Sequence, residues 1–155
     1  MIESQEILLK KIFTKEDCIS TLEEISQLQQ LVFRSQESLS KKSENLVSRN
    51  LYQFFLFLEA KGKIGLNQKV QFDFLEELKD WLKNLSVLKL EIAFLPSQKT
   101  IEKIAYWLKK EVGEEIILDI YFNPTVVGGA ILEYRGKYLN LSLVKEIDKI
   151  FSANL

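Results

Sequence analysis

The sequence contains no histidine and only one cysteine, Cys18. Histidine is the commonest general base at neutral pH and the commonest metal ligand, so the usual centre of acid–base catalysis or metal binding is missing. One cysteine forms neither an intrachain disulfide nor a thiolate metal cluster, which fits a reducing compartment. We expect Cys18 to be unreactive, because a low thiolate pKa needs cationic surroundings and Glu16 and Asp17 are close in sequence. We predict no catalytic residue, no cofactor and no metal site.

Charge excess and long apolar runs are also absent. The chain has 21 basic and 22 acidic residues, whereas a protein that binds nucleic acid through bulk electrostatics carries a clear basic excess. The first six residues carry two glutamates and no basic residue, and the apolar run after them is too short for a signal-peptide core. No apolar run is long enough to cross a bilayer. We therefore expect any membrane association to be indirect, through a protein partner.

Proline and glycine are scarce in the first half of the chain and more frequent in the second. Residues 1–85 contain no proline and two glycines, whereas both prolines and the other four glycines follow. Because these residues interrupt regular elements, the first half favours long helices and the second a mixed fold. The apolar share of 46% is enough for a sizeable core. We predict an α+β protein, with a helical bundle at residues 1–85 and a small β-α-β-β-α domain at residues 86–155.

Apolar residues at helical spacing predict three amphipathic helices in the first half. The first follows Thr14, a suitable N-cap, and the second ends at Lys61-Gly62-Lys63-Ile64-Gly65, where glycine suits the left-handed conformation after a helix. Between these two helices, residues 35–43 are polar and predict a loop or a weak helix. The three buried stripes are Leu22, Ile25, Leu28 and Val32; Val47, Leu51, Phe54, Phe55 and Leu58; and Val70, Phe74, Leu78, Trp81, Leu82 and Leu85.

After Leu85 the pattern changes to the alternation typical of strands. Strands are predicted at residues 87–94, 115–122 and 126–134, and a turn at 135–137 is compatible with a short fourth strand. A strand–helix–strand crossover is right-handed and makes the first two strands parallel. The short connection Asn123-Pro124-Thr125 predicts that the second and third strands run antiparallel, with both helices on one face. The two helical stripes are Ile101, Ile104, Ala105, Leu108 and Val112, and Leu143, Ile147, Ile150 and Phe151.

Several groups of residues look like chemical sites but have simpler structural interpretations. Adjacent carboxylates support acid–base catalysis only when burial or a neighbour shifts their pKa, and on exposed faces we expect solvated charges. The glycines near residue 62 lack the full phosphate-loop pattern. Gly128-Gly129 could offer backbone N–H groups to an anion, although a bulge or a close backbone approach is the interpretation we favour. The carboxylate pairs are Glu23-Glu24, Glu76-Glu77 and Glu114-Glu115.

Aromatic and apolar residues outside the buried stripes point to binding surfaces. Tyr52, Leu56 and Phe57 lie off the stripe of their helix, so that helix is apolar around much of its circumference. Such a helix is either central in a bundle or carries a second apolar face for a partner. Tyr106 and Trp107 also stand off their stripe, and aromatic residues are enriched at interface cores.

Four short motifs follow one another in the second half of the chain. They are Leu95-Pro96-Ser97, Asn123-Pro124, Val126-Val127-Gly128-Gly129 and Asn140-Leu141-Ser142. In this order and spacing, the C-terminal half resembles the delta subunit of F-type ATP synthases, the relative of the mitochondrial oligomycin-sensitivity-conferring protein. The resemblance extends back to residues 49–58, 61–64 and 72–78, which are similar to the last two helices of that family's N-terminal bundle.

The chain departs from that family in two respects. Asn123 and Asn140 stand where the family has aspartate, and both can still serve as turn or cap residues. The chain resembles an N-terminally short member, because the family's first-helix pattern has no clear counterpart here. The resemblance assigns structural turn or bulge roles to Asn123, Pro124, Gly128, Gly129, Asn140 and Ser142.

The resemblance implies a non-catalytic stator component that links the catalytic head to the peripheral stalk during proton-driven ATP synthesis. It implies that the bundle holds N-terminal segments of alpha subunits and that the C-terminal domain meets the end of subunit b. The location implied is cytoplasmic, peripheral to the inner face of the cell membrane as part of a complex. The candidate partner contacts are Tyr52, Phe55, Leu56 and Phe57 in the bundle, and Trp107, Ile147 and Phe151 in the C-terminal domain.

A second class of function remains open at the level of sequence. The chain could be a free-standing regulatory or ligand-binding α+β module that retains the family's C-terminal fold. A well-formed concave pocket with convergent polar groups would favour that alternative. A small hydrolase or transferase is disfavoured, because no nucleophile–base pair with histidine can be assembled.

Overall fold

A computed structural model describes residues 2–113, 115–126 and 128–141 of the chain. The chain divides into two compact units. The helical unit contains the described residues up to Ile12 together with Glu16–Leu85, and the sheet unit contains Phe13–Lys15 together with the described residues from Ser86 onward. The chain therefore passes from the helical unit to the sheet unit twice. The helices and the mixed sheet confirm the predicted α+β fold class.

The helical unit is built from five α-helices and one short 3-10 helix. The elements are α1 Ile2–Leu9, α2 Lys15–Gln29, the 3-10 helix Val32–Arg34, α3 Leu39–Ser43, α4 Arg49–Ala60 and α5 Gln68–Lys83. The predicted stripes of α2, α4 and α5 supply much of its core, including Ile25, Phe55 and Leu78, which are 0%, 0% and 3% exposed. Leu75 is 0% exposed although it was not in the predicted α5 stripe. Val70 was expected in that stripe but is 50% exposed, because it lies in the first turn of the helix.

Helix α4 has sharply defined ends. The Ser48 hydroxyl oxygen accepts from the Leu51 backbone N–H at 3.5 Å, so the helix starts at Arg49 and Val47 lies before it. At the other end Gly62 has a φ of 65°, and its N–H donates to the Glu59 carbonyl at 2.9 Å. The Lys63 N–H donates to the Leu58 carbonyl at 2.9 Å. These two bonds form a Schellman motif, which confirms the predicted helix stop at glycine.

The sheet unit contains a four-stranded mixed sheet in the order β2-β1-β3-β4. β1 and β2 are parallel across the α6 crossover, as predicted. β2 and β3 run antiparallel, but they are not neighbours, since β3 pairs with β1 instead. The elements are β1 Ser86–Ile92, α6 Gln98–Glu111, β2 Ile116–Phe122, β3 Ala130–Tyr134 and β4 Lys137–Asn140.

The outer edge of β2 is occupied by the segment that precedes α2. The Leu118 N–H donates to the Phe13 carbonyl at 2.9 Å, and Thr14 forms a parallel bridge with Leu118. Lys15 forms an ion pair with Asp119 at 2.9 Å. β3 lies on the opposite side of β1 from this edge.

One face of the sheet packs against α6. Alternate residues of β1 and β2 form this core with Ala105 and Leu108 of α6, and Phe13 packs against its margin. Val112, expected in the α6 stripe, is 46% exposed because the helix ends at Glu111. The buried strand residues are Leu88, Leu90, Ile92, Ile116 and Leu118. The predicted closing helix lies outside the described residues.

The connection between β2 and β3 is a loop rather than a long strand. The third strand was expected from residue 126, but it begins at Ala130. Gly128 and Gly129 precede it with φ values of 57° and 89°, a backbone region that favours glycine. The two glycines thus serve a turn before the strand instead of a bulge within it.

Candidate partner-binding surfaces

Helix α4 presents some of its predicted contact residues and buries one. Leu56 is 42% exposed, and Tyr52 and Phe57 are half-buried. Phe55 is 0% exposed and packs in the core with Phe54, whose ring centroid is 5.9 Å away. Phe55 is therefore unavailable to a partner in this fold, because it belongs to the inward stripe of the helix.

The remaining α4 residues fall on two flanks of the helix. Tyr52 and Leu56 are four residues apart and are neighbours on the helix surface. Phe57 lies on the other flank, where the Lys61 ammonium sits 5.9 Å from its ring centroid. Tyr52 and Leu56 thus lie side by side on one partly exposed flank of the helix.

The predicted contact Trp107 lies on the outward face of α6 in the sheet unit. Its side chain is 58% exposed, and the adjacent Tyr106 is 73% exposed. Both residues stand opposite Ala105 and Leu108, which face the sheet. Exposed neighbouring aromatic rings are unusual on a surface without a partner, because water solvates them poorly. Tyr106 therefore lies on the same exposed face as Trp107. The sequence placed it off the buried stripe but did not name it as a candidate partner contact.

Three further residues named in the sequence prediction lie outside the described part of the chain. They are the predicted contacts Ile147 and Phe151 and the predicted turn residue Ser142.

The Asn123-Pro124 turn is held by its own side-chain hydrogen bonds. The Asn123 Oδ1 atom accepts from the Thr125 N–H at 3.0 Å and from the Thr125 hydroxyl at 2.6 Å. Its Nδ2 donates to Glu91 at 2.8 Å. The amide nitrogen supplies a donor that an aspartate would lack, so Asn123 links the turn to β1. Asn140 is the last residue of β4 and pairs with Ile131.

Further apolar side chains are exposed where β1 and β2 end. Parallel strands bring their carboxyl ends to the same edge of a sheet, and here Ile92 is level with Phe122. Phe94 and Leu95 follow β1 and are 58% and 79% exposed, and Phe122 is 55% exposed. The alternation of apolar and polar residues along one strand does not predict this exposed apolar group, because its members are brought to one edge only when the two strands pair.

A buried lysine joins three segments of the helical unit. The Lys42 ammonium donates to the Val32 carbonyl and to Gln71 Oε1, both at 2.7 Å. Gln71 is 0% exposed and donates in turn to the carbonyls of Gly65 and Glu37 at 2.8 and 3.1 Å. Burial lowers the pKa of Lys42, and the negative charge of Glu37 offsets only part of that effect. Sequence pattern missed this cluster, because lysine and glutamine usually mark a solvated face.

Cys18 and Glu76, one member of a carboxylate pair, take structural roles. Burial raises the pKa of the Cys18 thiol, which donates to the Leu82 carbonyl at 3.5 Å. A hydrogen bond from Gln29, at 2.6 Å, and a second from Lys79 lower the pKa of Glu76. Neither environment activates the group, because a buried neutral thiol is a poor nucleophile and an ion-paired carboxylate a poor base.

One concavity of the described residues is an open groove of about 390 Å³ between α2 and α5, with Ile19 and Leu22 on one wall and Lys79 and Lys83 on the other. Among the residues that the structure describes, no three histidine, cysteine, aspartate or glutamate side chains are placed to hold a metal ion. The described helices include none that is both long and apolar enough to cross a membrane.

Comparisons with known proteins agree with the resemblance read from the motifs. The sequence model of the ATP synthase delta (OSCP) subunit family matches residues 22–153. ATP synthase subunit delta of Desulfatibacillum aliphaticivorans is 31% identical over 85 residues, which are 55% of this chain and 46% of that protein. The protein of the same name from Desulforapulum autotrophicum has the same identity and coverage. The chain thus matches about half the length of these curated relatives.

Proposed function

Since the chain belongs to the ATP synthase delta (OSCP) subunit family, we propose that it is a non-catalytic stator component of an F-type ATP synthase. It links the catalytic head to the peripheral stalk while proton flow drives ATP synthesis. The observation that supports this role is the presence of two compact units that each expose aromatic or aliphatic side chains. A joint between two assemblies needs two such surfaces.

The helical unit is the proposed site for N-terminal segments of alpha subunits. Tyr52 and Leu56 form its contact surface, with Phe57 on the adjacent flank. Tyrosine combines a large apolar ring with a hydroxyl, a combination that is enriched where binding energy concentrates. The rigid Schellman stop after Ala60 fixes the end of α4, so the contact residues keep their spacing.

The sheet unit is the proposed site for the C-terminal end of subunit b. Trp107 is the contact in the described part, and Ile147 and Phe151 are proposed to add to it. The role is mechanical, because rotation of the central shaft exerts torque on the head and the stalk resists it. Durable apolar contacts serve that role without any reactive group. The proposed location is the cytoplasmic face of the cell membrane, reached through the complex.

Affinity capture from the native membrane fraction tests this function. The tagged full chain is used as bait, and co-purifying proteins are identified by mass spectrometry. We expect the alpha, beta and b subunits of ATP synthase to be recovered. If none of the three subunits is recovered with a folded, abundant bait, the stator role is contradicted and the free-standing module is favoured.

Two single substitutions test the proposed binding sites of the helical unit and the sheet unit separately. Leu56→Asp places a charge in the helical contact surface and should reduce recovery of the alpha subunit while subunit b still binds the bait. Trp107→Ala should have the opposite effect, reducing recovery of subunit b. Glu77→Gln, on an exposed position of α5, is the control that should change neither. Equal loss of both partners with either substitution would contradict the assignment of one partner to each unit.

A further inference from the structure

The outward face of α6 combines aromatic and cationic side chains in an ordered pattern. Lys99, Lys103 and Lys110 recur at intervals of four and seven residues, so they lie in one row along the helix. Tyr106 and Trp107 lie on either side of that row, about 100° apart around the helix axis. All five side chains are exposed. We call this row and its two rings the α6 ridge.

The lysines of the α6 ridge take no part in the ion pairs identified between described residues. Those pairs involve Lys15, Lys41, Lys79, Lys83 and Lys89 instead of Lys99, Lys103 or Lys110. Helix α6 carries four lysines and two glutamates, whereas the whole chain has a net charge of −1. Positive charge is thus concentrated on this helix, beside two large exposed rings. An interface of this kind is complementary to carboxylates next to apolar side chains.

We propose that the α6 ridge binds an acidic amphipathic helix of a protein partner. Its carboxylates meet the lysine row, and its apolar side chains contact Tyr106 and Trp107. The proposal rests on the stator function above and specifies the chemistry of the segment that meets the sheet unit. The partner helix presents aspartate or glutamate along one line with aliphatic residues on both sides of it.

The arrangement disfavours an anionic membrane as the occupant. A helix that lies in a membrane interface has a continuous apolar face that enters the acyl boundary and a separate charged face. Here the lysine row runs between the two rings, so inserting both rings would desolvate the ammonium groups. A protein helix can place a carboxylate opposite each lysine and avoid that cost.

Titration calorimetry with the full chain tests the proposal. The probe is a helical peptide of about 20 residues, a length at which helices become stable in water. It carries glutamate along one line and leucine on both sides of that line. Its control is the same peptide with lysine in place of glutamate. We expect the acidic peptide to bind and the basic peptide to show no binding. No binding of the acidic peptide to the folded chain would overturn the proposal.

Two variants locate the binding on the α6 ridge. Trp107→Ala should weaken binding about tenfold or more, as expected for an aromatic anchor. Lys103→Glu with Lys110→Glu should also weaken it about tenfold or more. Added salt should then no longer reduce the affinity, because the reversed charges repel the acidic peptide and salt screens that repulsion. The matched control is Lys10→Glu with Lys69→Glu, two exposed lysines of the helical unit, which leaves the affinity within about twofold. A charge-reversed chain that now binds the basic peptide shows that the variant is folded.

The outcomes separate this proposal from the stator function. If the Lys103→Glu and Lys110→Glu changes do not reduce the capture of synthase subunits, the proposed role of the α6 ridge is contradicted and the stator function stands. If the acidic peptide binds at the α6 ridge but the chain captures no synthase subunit, the role of the ridge is supported and the stator function is contradicted. Binding to vesicles of phosphatidylglycerol and phosphatidylcholine, in place of the peptide, would assign the ridge to a membrane and overturn the proposal.

Discussion

The most unusual single residue of the helical unit is Lys42. Its ammonium is buried and bonds to the Val32 carbonyl and to Gln71. Removing the lysine leaves two buried acceptors without a donor, a loss of roughly 1–3 kcal/mol. Keeping it means burying a charge without a paired carboxylate. The lysine therefore joins the 3-10 helix, α3 and α5, although its ammonium loses contact with water.

Lys42 should make stability depend on pH in a defined direction. Its pKa in the folded chain is lowered from 10.5, so between the lowered value and 10.5 the unfolded chain binds more protons. Stability contributed by this group therefore rises with pH across that window. The difference in free energy of unfolding between wild type and Lys42→Met, measured by urea titration from about pH 8 to pH 10, should grow with pH.

The neighbouring Lys41 supplies the control. A hydrogen bond from its ammonium to Glu44 raises the pKa of Lys41 above 10.5. Its contribution is complete below 10.5 and is lost only above that value. The same comparison for Lys41→Met should therefore stay flat over the window in which Lys42→Met changes. A flat or falling difference for Lys42→Met would show that its charge is solvated.

At the scale of elements, the end of α4 depends on one glycine. Gly62 has a φ of 65°, whereas Gly65 has no positive φ, and a Cβ atom at either position meets no neighbour. Gly62→Ala should lower stability by about 1 kcal/mol, because alanine is strained in the left-handed region. Gly65→Ala should raise it by about 0.4–1 kcal/mol by restricting the unfolded chain. Thermal unfolding of the two variants checks the sign, and equal effects would contradict this interpretation.

The segment before α2 is an element of the sheet unit. Phe13 packs against the sheet core, and the Lys109 ammonium lies 5.2 Å from its ring centroid. Phe13→Ala should destabilise the sheet unit by about 2 kcal/mol, less than full core burial because the ring is half-buried. Hydrogen exchange of the Leu118 amide, which bonds to the Phe13 carbonyl, should become faster. Phe94→Ala, at a 58% exposed position in the same unit, is the control expected to change little.

At the scale of the whole molecule, two separate cores predict two separable responses to mutation. Phe55 belongs to the helical unit and Leu90 to the core of the sheet unit. Phe55→Ala and Leu90→Ala should each lower the free energy of unfolding by about 2–5 kcal/mol. The effect should be confined to the unit that holds the substituted residue. Amide hydrogen exchange resolved by residue measures this. Equal loss of protection in both units after either substitution would indicate one cooperative unit.

Particular residues show how far sequence pattern reaches. The stripe of α4 identified Leu51, Phe54, Phe55 and Leu58 as buried, and all four are. The same pattern could not choose which apolar residues of that helix serve a partner, so Phe55 was wrongly placed on the contact surface. Helical spacing gives the angle of a side chain around its own axis. It does not give how much of that circumference the neighbouring helices cover.

Local patterns in the sequence predicted the α+β class, a helix stop near Gly62, the parallel β1–β2 pair and the family to which the chain belongs. These features follow from local conformational preference, periodicity and the order of short motifs. Only the folded structure showed that β3 pairs with β1, that Phe13–Lys15 contacts the edge of β2, and that Lys42 is buried. Each of these depends on contacts between residues far apart in the chain, and local preference carries no information about which distant segment lies beside a strand edge or fills a cavity.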